Sequence, residues 1–182
     1  MNFYTGQNLK VFKKLSNDRY SLPNNDIIHL TQDSLNNIWI STRQGMVTYD
    51  EKHGIFIPIN QNIIYSSLCV KGGILFGSEN RIYKYDYQKR SFKSVCINPQ
   101  GDTDNDTTKY RVQRIIAFSE KEVLIATRRD GIYILNHQTM QLRHFSLAQT
   151  IFCKGHVCLQ TDVYIYPSGE KDYFVMKEQE NL

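Results

Sequence analysis

An internal repeat is the feature that most constrains what this chain can fold into. Three segments align without gaps over 16 residues, at positions 27–42, 63–78 and 112–127. Each ends in two apolar residues, a small residue and a hydroxyl, and each unit then closes on an acid or an amide. The closing residues are spaced by 36 and then 50 positions, at Asp50, Asp86 and Asn136. Repeats of this length indicate one supersecondary unit stacked on its neighbours.

Each unit reads as strands and turns. Short runs rich in Ile, Val, Tyr, Phe and Thr alternate with Asn, Gly, Asp and Ser, about four runs to a unit. The long i, i+3, i+4, i+7 patterns of amphipathic helices are missing from the sequence. Four short antiparallel strands per repeat are typical of a propeller blade. We therefore predict an all-β fold, a partial β-propeller with about three full four-stranded blades plus incomplete blades at each end. A β-sandwich with chance self-similarity is the alternative.

The repeat register also predicts the blade boundaries within one domain spanning 1–182. Residues 1–5 align with 46–50, so we expect the chain to open in the middle of a blade. Residues 147–182 lack the repeat motif and are expected to form a divergent tail or an incomplete blade. The expected divisions are the outer strands of an incomplete blade at 1–15 and full blades at 24–60, 61–97 and 110–146.

Composition and charge argue against several classes of protein. A hydrophobic content of 41% is enough for a packed core. No stretch approaches 18 uninterrupted apolar residues, and the first residues lack the pattern of a signal peptide. We therefore expect no membrane contact by this segment and no signal peptide of its own. The net charge of +4 comes without a run of like charges, which argues against a nucleic-acid partner. Four cysteines do not define the redox compartment.

The clearest motif lies in the first full unit. It comprises Ser-Leu-Pro-Asn-Asn at 21–25, Asp33, Asn-Ile-Trp-Ile-Ser-Thr at 37–42, Gly-Met at 45–46 and Tyr-Asp at 49–50. This pattern resembles the two-component regulator propeller repeat, which builds the extracytoplasmic sensor region of hybrid two-component histidine kinases. The resemblance covers roughly residues 1–146. Its departures are Ser41 and Ala126 at the motif glycine and Arg81 at the turn glycine.

The resemblance implies a sensor that detects glycan breakdown products and signals across the inner membrane without acting chemically on its ligand. We therefore expect a fragment of such a sensor, non-catalytic and without a cofactor, periplasmic in the context of its parent. The expected partners are an oligosaccharide ligand and either a second copy, as a homodimer, or the remainder of a larger sensor. A protein-interaction scaffold and a propeller lyase are the alternatives, because a propeller fold does not determine function.

Motifs for metal binding and catalysis are incomplete in the sequence. The alternating acids at 102–106 resemble part of a calcium loop, but the turn glycine and the bidentate glutamate are replaced by Thr107 and Gln113. The Cys, His and Cys at 153–158 do not have the spacing of a zinc finger. The sequence also offers no nucleophile, base and orienting group in a recognisable set. We therefore predict no metal site and no catalytic residues.

The predicted ligand-binding residues lie in the turn between the second and third strands of each blade. In a propeller these turns emerge on the face that carries the links between blades, near the central channel. Forked polar side chains suit the hydroxyls of sugars, and arginines suit acidic sugars through bidentate pairing. The predicted set is Arg43, Gln44, Glu79, Asn80, Arg128, Arg129 and Asp130. The alternative is that these are solvated turn residues. Trp39, Tyr49 and Tyr85 are predicted to pack between blades rather than against sugar.

Overall fold

The computed structural model describes residues 1–4, 6, 9–98 and 107–145, together with four strands between positions 150 and 175. Its secondary structure is nearly all β, and the described residues include one 3-10 helix, at Thr107–Tyr110. This confirms the all-β prediction, which rests on β-branched and aromatic runs broken by turn residues. The described part of the chain holds no helix with the length and apolar character needed to cross a bilayer.

The strands pair in chain order as antiparallel meanders. An N-terminal pair consists of β1 (Asn2–Tyr4) and β2 (Leu9–Val11). Sheet 1 contains β3 (Ile27–Gln32), β4 (Ile38–Thr42), β5 (Gly45–Asp50) and β6 (Ile55–Asn60). Sheet 2 contains β7 (Ser66–Val70), β8 (Gly73–Gly77), β9 (Arg81–Asp86) and β10 (Ser91–Cys96). Sheet 3 contains β11 (Val112–Ala117), β12 (Glu122–Thr127), β13 (Ile132–Asn136) and β14 (Gln141–Phe145).

A further set of four strands follows in the segment for which the sequence predicts a divergent tail or an incomplete blade. Sheet 4 contains β15 (Thr150–Cys153), β16 (His156–Leu159), β17 (Val163–Tyr166) and β18 (Tyr173–Val175). The strands pair in the same order as in the preceding sheets, although the segment lacks their sequence motif. Backbone pairing requires extended, β-compatible residues rather than a particular motif, so the two observations are compatible.

The first strand of sheet 2 departs by one residue from the gapless repeat alignment. In sheet 1, Trp39 of β4 pairs with Thr31. The alignment makes Leu75 equivalent to Trp39 and Ser67 equivalent to Thr31, so Ser67 is expected opposite Leu75. Leu68 lies there instead. The cause is the hairpin between β7 and β8, which is closed by two residues with Gly72 at a φ of +79°, a conformation that favours glycine. The corresponding connections in sheets 1 and 3 are longer, and β3 and β11 each contain a bulge that β7 does not.

Apolar side chains on both faces of the sheets build three clusters that hold the stack together. The cluster between the N-terminal segment and sheet 1 contains Phe12, Leu22, Ile40, Val47 and Phe56. The cluster between sheets 1 and 2 contains Trp39, Met46, Ile64, Ile74 and Phe76. The cluster between sheets 2 and 3 contains Leu75, Ile82, Ile97, Tyr110, Val112, Ile115, Val123, Ile125, Tyr133 and Leu135. Consecutive strand residues point to opposite faces, so neighbours such as Trp39 and Ile40 enter different clusters.

The aromatic residues of the repeat lie in these interfaces, as predicted. Trp39 is 4% exposed, and its ring centroid lies 5.1 Å from that of Phe76 and 5.2 Å from that of Tyr85, both in sheet 2. Tyr49 packs on the other side of sheet 1, with centroid distances of 5.2 Å to Phe12 and 5.1 Å to Phe56. These rings therefore stabilise the stacking of neighbouring sheets.

Hydrogen bonds also tie neighbouring sheets together near the start of each first strand. The hydroxyl of Ser41 accepts a bond from the buried Ile64 amide at 2.8 Å, and the hydroxyl of Ser66 accepts one from the Ile115 amide at 3.1 Å. Buried amides of this kind are costly if left unpaired. The two serines therefore satisfy one backbone donor in the link before β7 and one in the edge strand β11.

Candidate functional site

The three turns that carry the predicted ligand-binding residues lie at one end of the stacked sheets. Antiparallel pairing places the β4–β5, β8–β9 and β12–β13 turns beside the links that enter β3, β7 and β11. Backbone bonds join turn and link directly: the Arg43 amide donates to Asp26 O at 3.2 Å, and the Arg128 amide donates to Arg111 O at 2.8 Å. We call the surface formed by these turns and links the turn face.

In sheet 1 the predicted residues already have protein partners. The Arg43 guanidinium, 66% exposed, donates through Nε to the carboxylate of Asp26. That hydrogen bond, together with the carboxylate charge, raises the pKa of Arg43. Gln44 accepts a bond at its Oε1 from the Lys14 ammonium at 2.9 Å. Arg43 therefore lies on the surface in a defined orientation with donors of its fork still facing solvent.

In sheet 2 Glu79 lies at the centre of a three-residue cluster. Its Oε1 accepts a bond from Arg111 Nη2 at 3.1 Å and one from the hydroxyl of Tyr65 at 3.3 Å. The Arg111 guanidinium also stacks over the Tyr65 ring, 4.6 Å from its centroid. Burial raises the pKa of the Tyr65 phenol, and the neighbouring Glu79 charge adds to the effect. The phenol is therefore a protonated donor at neutral pH.

Asn80, the other predicted residue of sheet 2, lies beside this cluster. Its backbone carbonyl accepts a bond from the Ile97 amide at 2.8 Å. That bond fastens the β8–β9 turn to the residue following β10 and gives the turn a fixed conformation.

In sheet 3 the predicted residues have different surroundings. Arg128 is exposed and its Nη1 donates to the hydroxyl of Thr108 at 3.4 Å, while the Arg129 amide donates to Lys109 O at 3.0 Å. The Asp130 carboxylate accepts a bond from the hydroxyl of Tyr133. Burial raises the pKa of Tyr133, and this bond to Asp130 raises it further. Asp130 thus serves to fix Tyr133, and the exposed Arg128 and Arg129 present the charged groups of this turn at the surface.

The structure connects three of the predicted residues into one row. Arg43, Glu79 and Arg128 come from successive sheets, and Tyr65 and Arg111 lie between them. Tyr65 is close enough to Arg43 and Arg111 for both positive charges to lower its pKa, against the larger effect of burial. The row therefore presents two outer guanidinium groups and a central stack of arginine, tyrosine and carboxylate.

Sequence reasoning missed the link residues Asp26, Tyr65 and Arg111. A signal for two of them was present, because Asp26 and Arg111 directly precede the aligned segments 27–42 and 112–127 and so occupy the same repeat position. A charged residue at that position lies beside the turn of its own sheet. Tyr65 carried no such signal, because it aligns with His29 and not with Asp26 and Arg111.

Metal-binding chemistry finds no support in the described residues. Among them, no three His, Cys, Asp or Glu side chains are placed to hold a metal ion. Cys69 and Cys96 are free thiols. The acidic segment at 102–106 lies outside the described residues, and the structure describes no side chains for the Cys, His and Cys at 153–158.

Comparison with solved structures identifies the fold. The chain is 19% identical to the extracellular domain of the proposed hybrid two-component system BT4673 from B. thetaiotaomicron, with a TM-score of 0.59 over 77% of this chain and 18% of that one. The corresponding domain of BT3049 from the same organism is 16% identical, with a TM-score of 0.59 over 96% of this chain and 25% of that one. The Pan2 WD40 domain of Neurospora crassa is 10% identical, with a TM-score of 0.54 over 81% of this chain and 49% of that one.

These likenesses show a β-propeller fold, and the chain spans a quarter or less of the two bacterial domains that it matches. A comparison with curated proteins finds no match. Residues 21–44 match the family model described as two component regulator propeller. That match covers the Ser-Leu-Pro lead, Asp33 and the Trp-containing β4, which are part of the motif that carries the sequence resemblance. The chain therefore carries a two-component regulator propeller repeat, as its sequence motif predicts, within a β-propeller fold.

Proposed function

We propose that this chain is a ligand-sensing, non-catalytic propeller segment of a two-component system sensor, and that its turn face binds glycan-derived oligosaccharides. The propeller repeat at 21–44 supports the sensor assignment. The parent sensor is proposed to place this segment in the periplasm, in keeping with the extracellular domains that share its fold. The remainder of that larger sensor is its proposed partner, and a homodimer is the alternative.

The observation that carries the ligand proposal is the row of charged and polar side chains on the turn face. Arg43 and Arg128 present forked donors at its two ends, and Glu79 supplies acceptor oxygens between them. Sugar hydroxyls both donate and accept hydrogen bonds, so a chain of sugars can use both kinds of group. A sugar carboxylate can also pair with a guanidinium in the bidentate manner. An extended row across three sheets matches an oligomer better than a single sugar.

The same contacts favour binding over catalysis. Glu79 accepts bonds from both Arg111 and Tyr65, which holds its carboxylate as an acceptor rather than as a free base. Asp130 is engaged by Tyr133. An enzyme site needs a nucleophile or base in reach of an orienting group and of the substrate. The row instead consists of charge pairs that orient one another.

Isothermal titration calorimetry against matched neutral and uronic-acid-containing oligosaccharides tests this proposal. The double variant Arg43→Ala, Arg128→Ala removes both outer guanidinium groups. If both bond to the ligand, its binding should weaken by at least about 1 kcal/mol, or roughly fivefold in Kd. The matched control is Arg143→Ala, because Arg143 lies on β14 and pairs with Glu122 at 3.3 Å, away from the turn face.

Two results would count against the proposal. Unchanged affinity in a folded double variant would remove the turn face as the site. Recovery of shortened or unsaturated oligosaccharide after prolonged incubation would show turnover and favour a propeller lyase. Intact ligand, together with weaker binding in the double variant and normal binding in Arg143→Ala, would support a non-catalytic sensor.

A further inference from the structure

A second concave site lies next to the turn face, between the segment at 14–23 and sheet 1. Its volume is about 340 Å³, which lies at the lower end of the range of roughly 300–1,000 Å³ for small-molecule sites. Strands β5 and β6 form one wall, and the segment at 14–23 forms the other. We call it the linker cavity. Gln44 is one of its lining residues and directly follows Arg43 of the row described above.

The floor of the linker cavity is apolar and aliphatic. Leu22 and Met46 are each 1% exposed, and Pro58 and Ile59 extend the surface along β6. The lining contains no aromatic side chain. Burying an aliphatic group on such a surface is favourable by the hydrophobic effect, whereas the flat aromatic platform that ring-shaped ligands stack on is missing.

The rim carries charges of both signs with bonding capacity left over. The Lys14 ammonium uses one of its three donors on Gln44 Oε1, at 2.9 Å. The Asp18 carboxylate accepts the Tyr20 amide at Oδ1, at 2.9 Å, and the described residues supply no partner for its second oxygen. Arg19 also lines the cavity, and its guanidinium lies 4.8 Å from the centroid of the Tyr20 ring. Cations and an anion are thus both available at the mouth of an aliphatic cavity.

The wall that carries these charges is held in place by its own hydrogen bonds. The hydroxyl of Ser21 donates to Asp18 O at 2.8 Å and accepts the Leu15 amide at 3.0 Å. The Phe56 amide of β6 donates to Tyr20 O at 2.9 Å, which fastens the segment to the sheet edge. A wall fixed in this way lowers the entropic cost of ordering the site on binding.

From this combination we propose that the linker cavity binds a free α-amino acid with an aliphatic side chain. The ligand carboxylate pairs with the Lys14 ammonium, its α-ammonium pairs with Asp18, and its side chain packs on Leu22 and Met46. A neutral sugar would offer Lys14 and Asp18 no counter-ion, and a simple carboxylate would offer none to Asp18. Charges of both signs beside an apolar surface complement a zwitterion with an aliphatic side chain. The site is separate from the oligosaccharide row.

Calorimetry or ligand-observed NMR with L-leucine as the probe tests this proposal on the full chain. 4-Methylpentanoate lacks the ammonium group, and 3-methylbutylamine lacks the carboxylate, so each should bind at least about tenfold more weakly than leucine if both charge pairs form. Lys14→Met and Asp18→Asn keep side-chain size and should each weaken leucine binding by a similar factor. Lys13→Met is the matched control, because Lys13 is exposed and does not line the cavity.

Saturable leucine binding that both cavity variants weaken and that Lys13→Met retains would support the proposal. The absence of saturable binding to the folded wild-type chain would overturn it. Equal binding of leucine by the wild type, Lys14→Met and Asp18→Asn would also overturn it. The Arg43→Ala, Arg128→Ala double variant should bind leucine normally, so failure here is distinguishable from failure of the oligosaccharide proposal.

Discussion

The stacking of sheets 1 and 2 depends on Trp39, and two substitutions there separate its apolar and polar contributions. Trp39 is almost fully buried against Phe76 and Tyr85 of sheet 2. Its indole Nε1 also donates to the buried carboxylate of Asp33, at 2.8 Å. Trp39→Phe keeps most of the ring packing and removes the donor, whereas Trp39→Ala removes both.

The expected magnitudes follow from these contacts. Hydrogen bonds to charged groups contribute about 1.5–3 kcal/mol, so Trp39→Phe should lower the free energy of unfolding by about that amount. Truncating a buried Trp to Ala costs about 3–5 kcal/mol through lost contacts and the cavity that is left. Asp33 also accepts bonds from the Leu35 amide and from the amide and side chain of Asn37. These keep its carboxylate bonded in Trp39→Phe, which should therefore stay folded.

Urea unfolding followed by far-UV circular dichroism measures both variants, because the chain has a single Trp and its fluorescence is lost on substitution. Leu35→Ala, in the same β3–β4 loop but exposed, is the matched control and should change stability by less than about 0.5 kcal/mol. Losses below about 1 kcal/mol in Trp39→Ala and near zero in Trp39→Phe would refute the packing and hydrogen-bonding roles assigned to this residue.

Three further predictions concern the sheet interfaces. Ser41→Ala should cost about 1–3 kcal/mol in denaturant unfolding, because it leaves the buried Ile64 amide unpaired; a neutral result would contradict this role. Gly77→Ala should lower the free energy of unfolding by about 1–3 kcal/mol, since the new Cβ would lie 2.3 Å from a methyl carbon of Val112. An unchanged denaturation midpoint would show that the interface accommodates the added methyl group. Burial lowers the pKa of His29, and the arginine on β11 lowers it further. The unfolded chain therefore binds this proton more tightly, and stability should fall as pH drops below about 6.5. His29→Gln should show a smaller fall between pH 7.5 and pH 5.5 than the wild type, and equal falls would contradict it.

The sequence predicts the architecture well because the same alternation of apolar residues recurs in three successive segments. Alternating apolar residues such as Trp39 and Ile40 specify which face of β4 meets which neighbour, and the aligned segments extend that rule to the next two sheets. The pairing order then follows from short turns between antiparallel strands. The offset of β7 could not be predicted, because a gapless alignment hides both the two-residue hairpin and the missing bulge, which shift the strand pairing in the same direction.

The candidate site is less predictable from sequence because its geometry depends on links as well as turns. The turn positions of Arg43, Glu79 and Arg128 follow from the repeat. Their connection does not, since it needs Tyr65 and Arg111 from segments that are distant in sequence and adjacent only after the sheets stack. The linker cavity is hidden for the same reason: its walls come from 14–23 and from β5 and β6.

The most direct test of the proposed function is a ¹H–¹⁵N NMR titration with an oligosaccharide that binds in calorimetry. We expect the shifting backbone amides to cluster at the turn face, around Arg43, Glu79, Arg111 and Arg128, while the β3–β4 and β11–β12 loops at the opposite end of the sheets stay unchanged. Shifts confined to those opposite loops at saturating ligand would contradict the turn face as the binding surface.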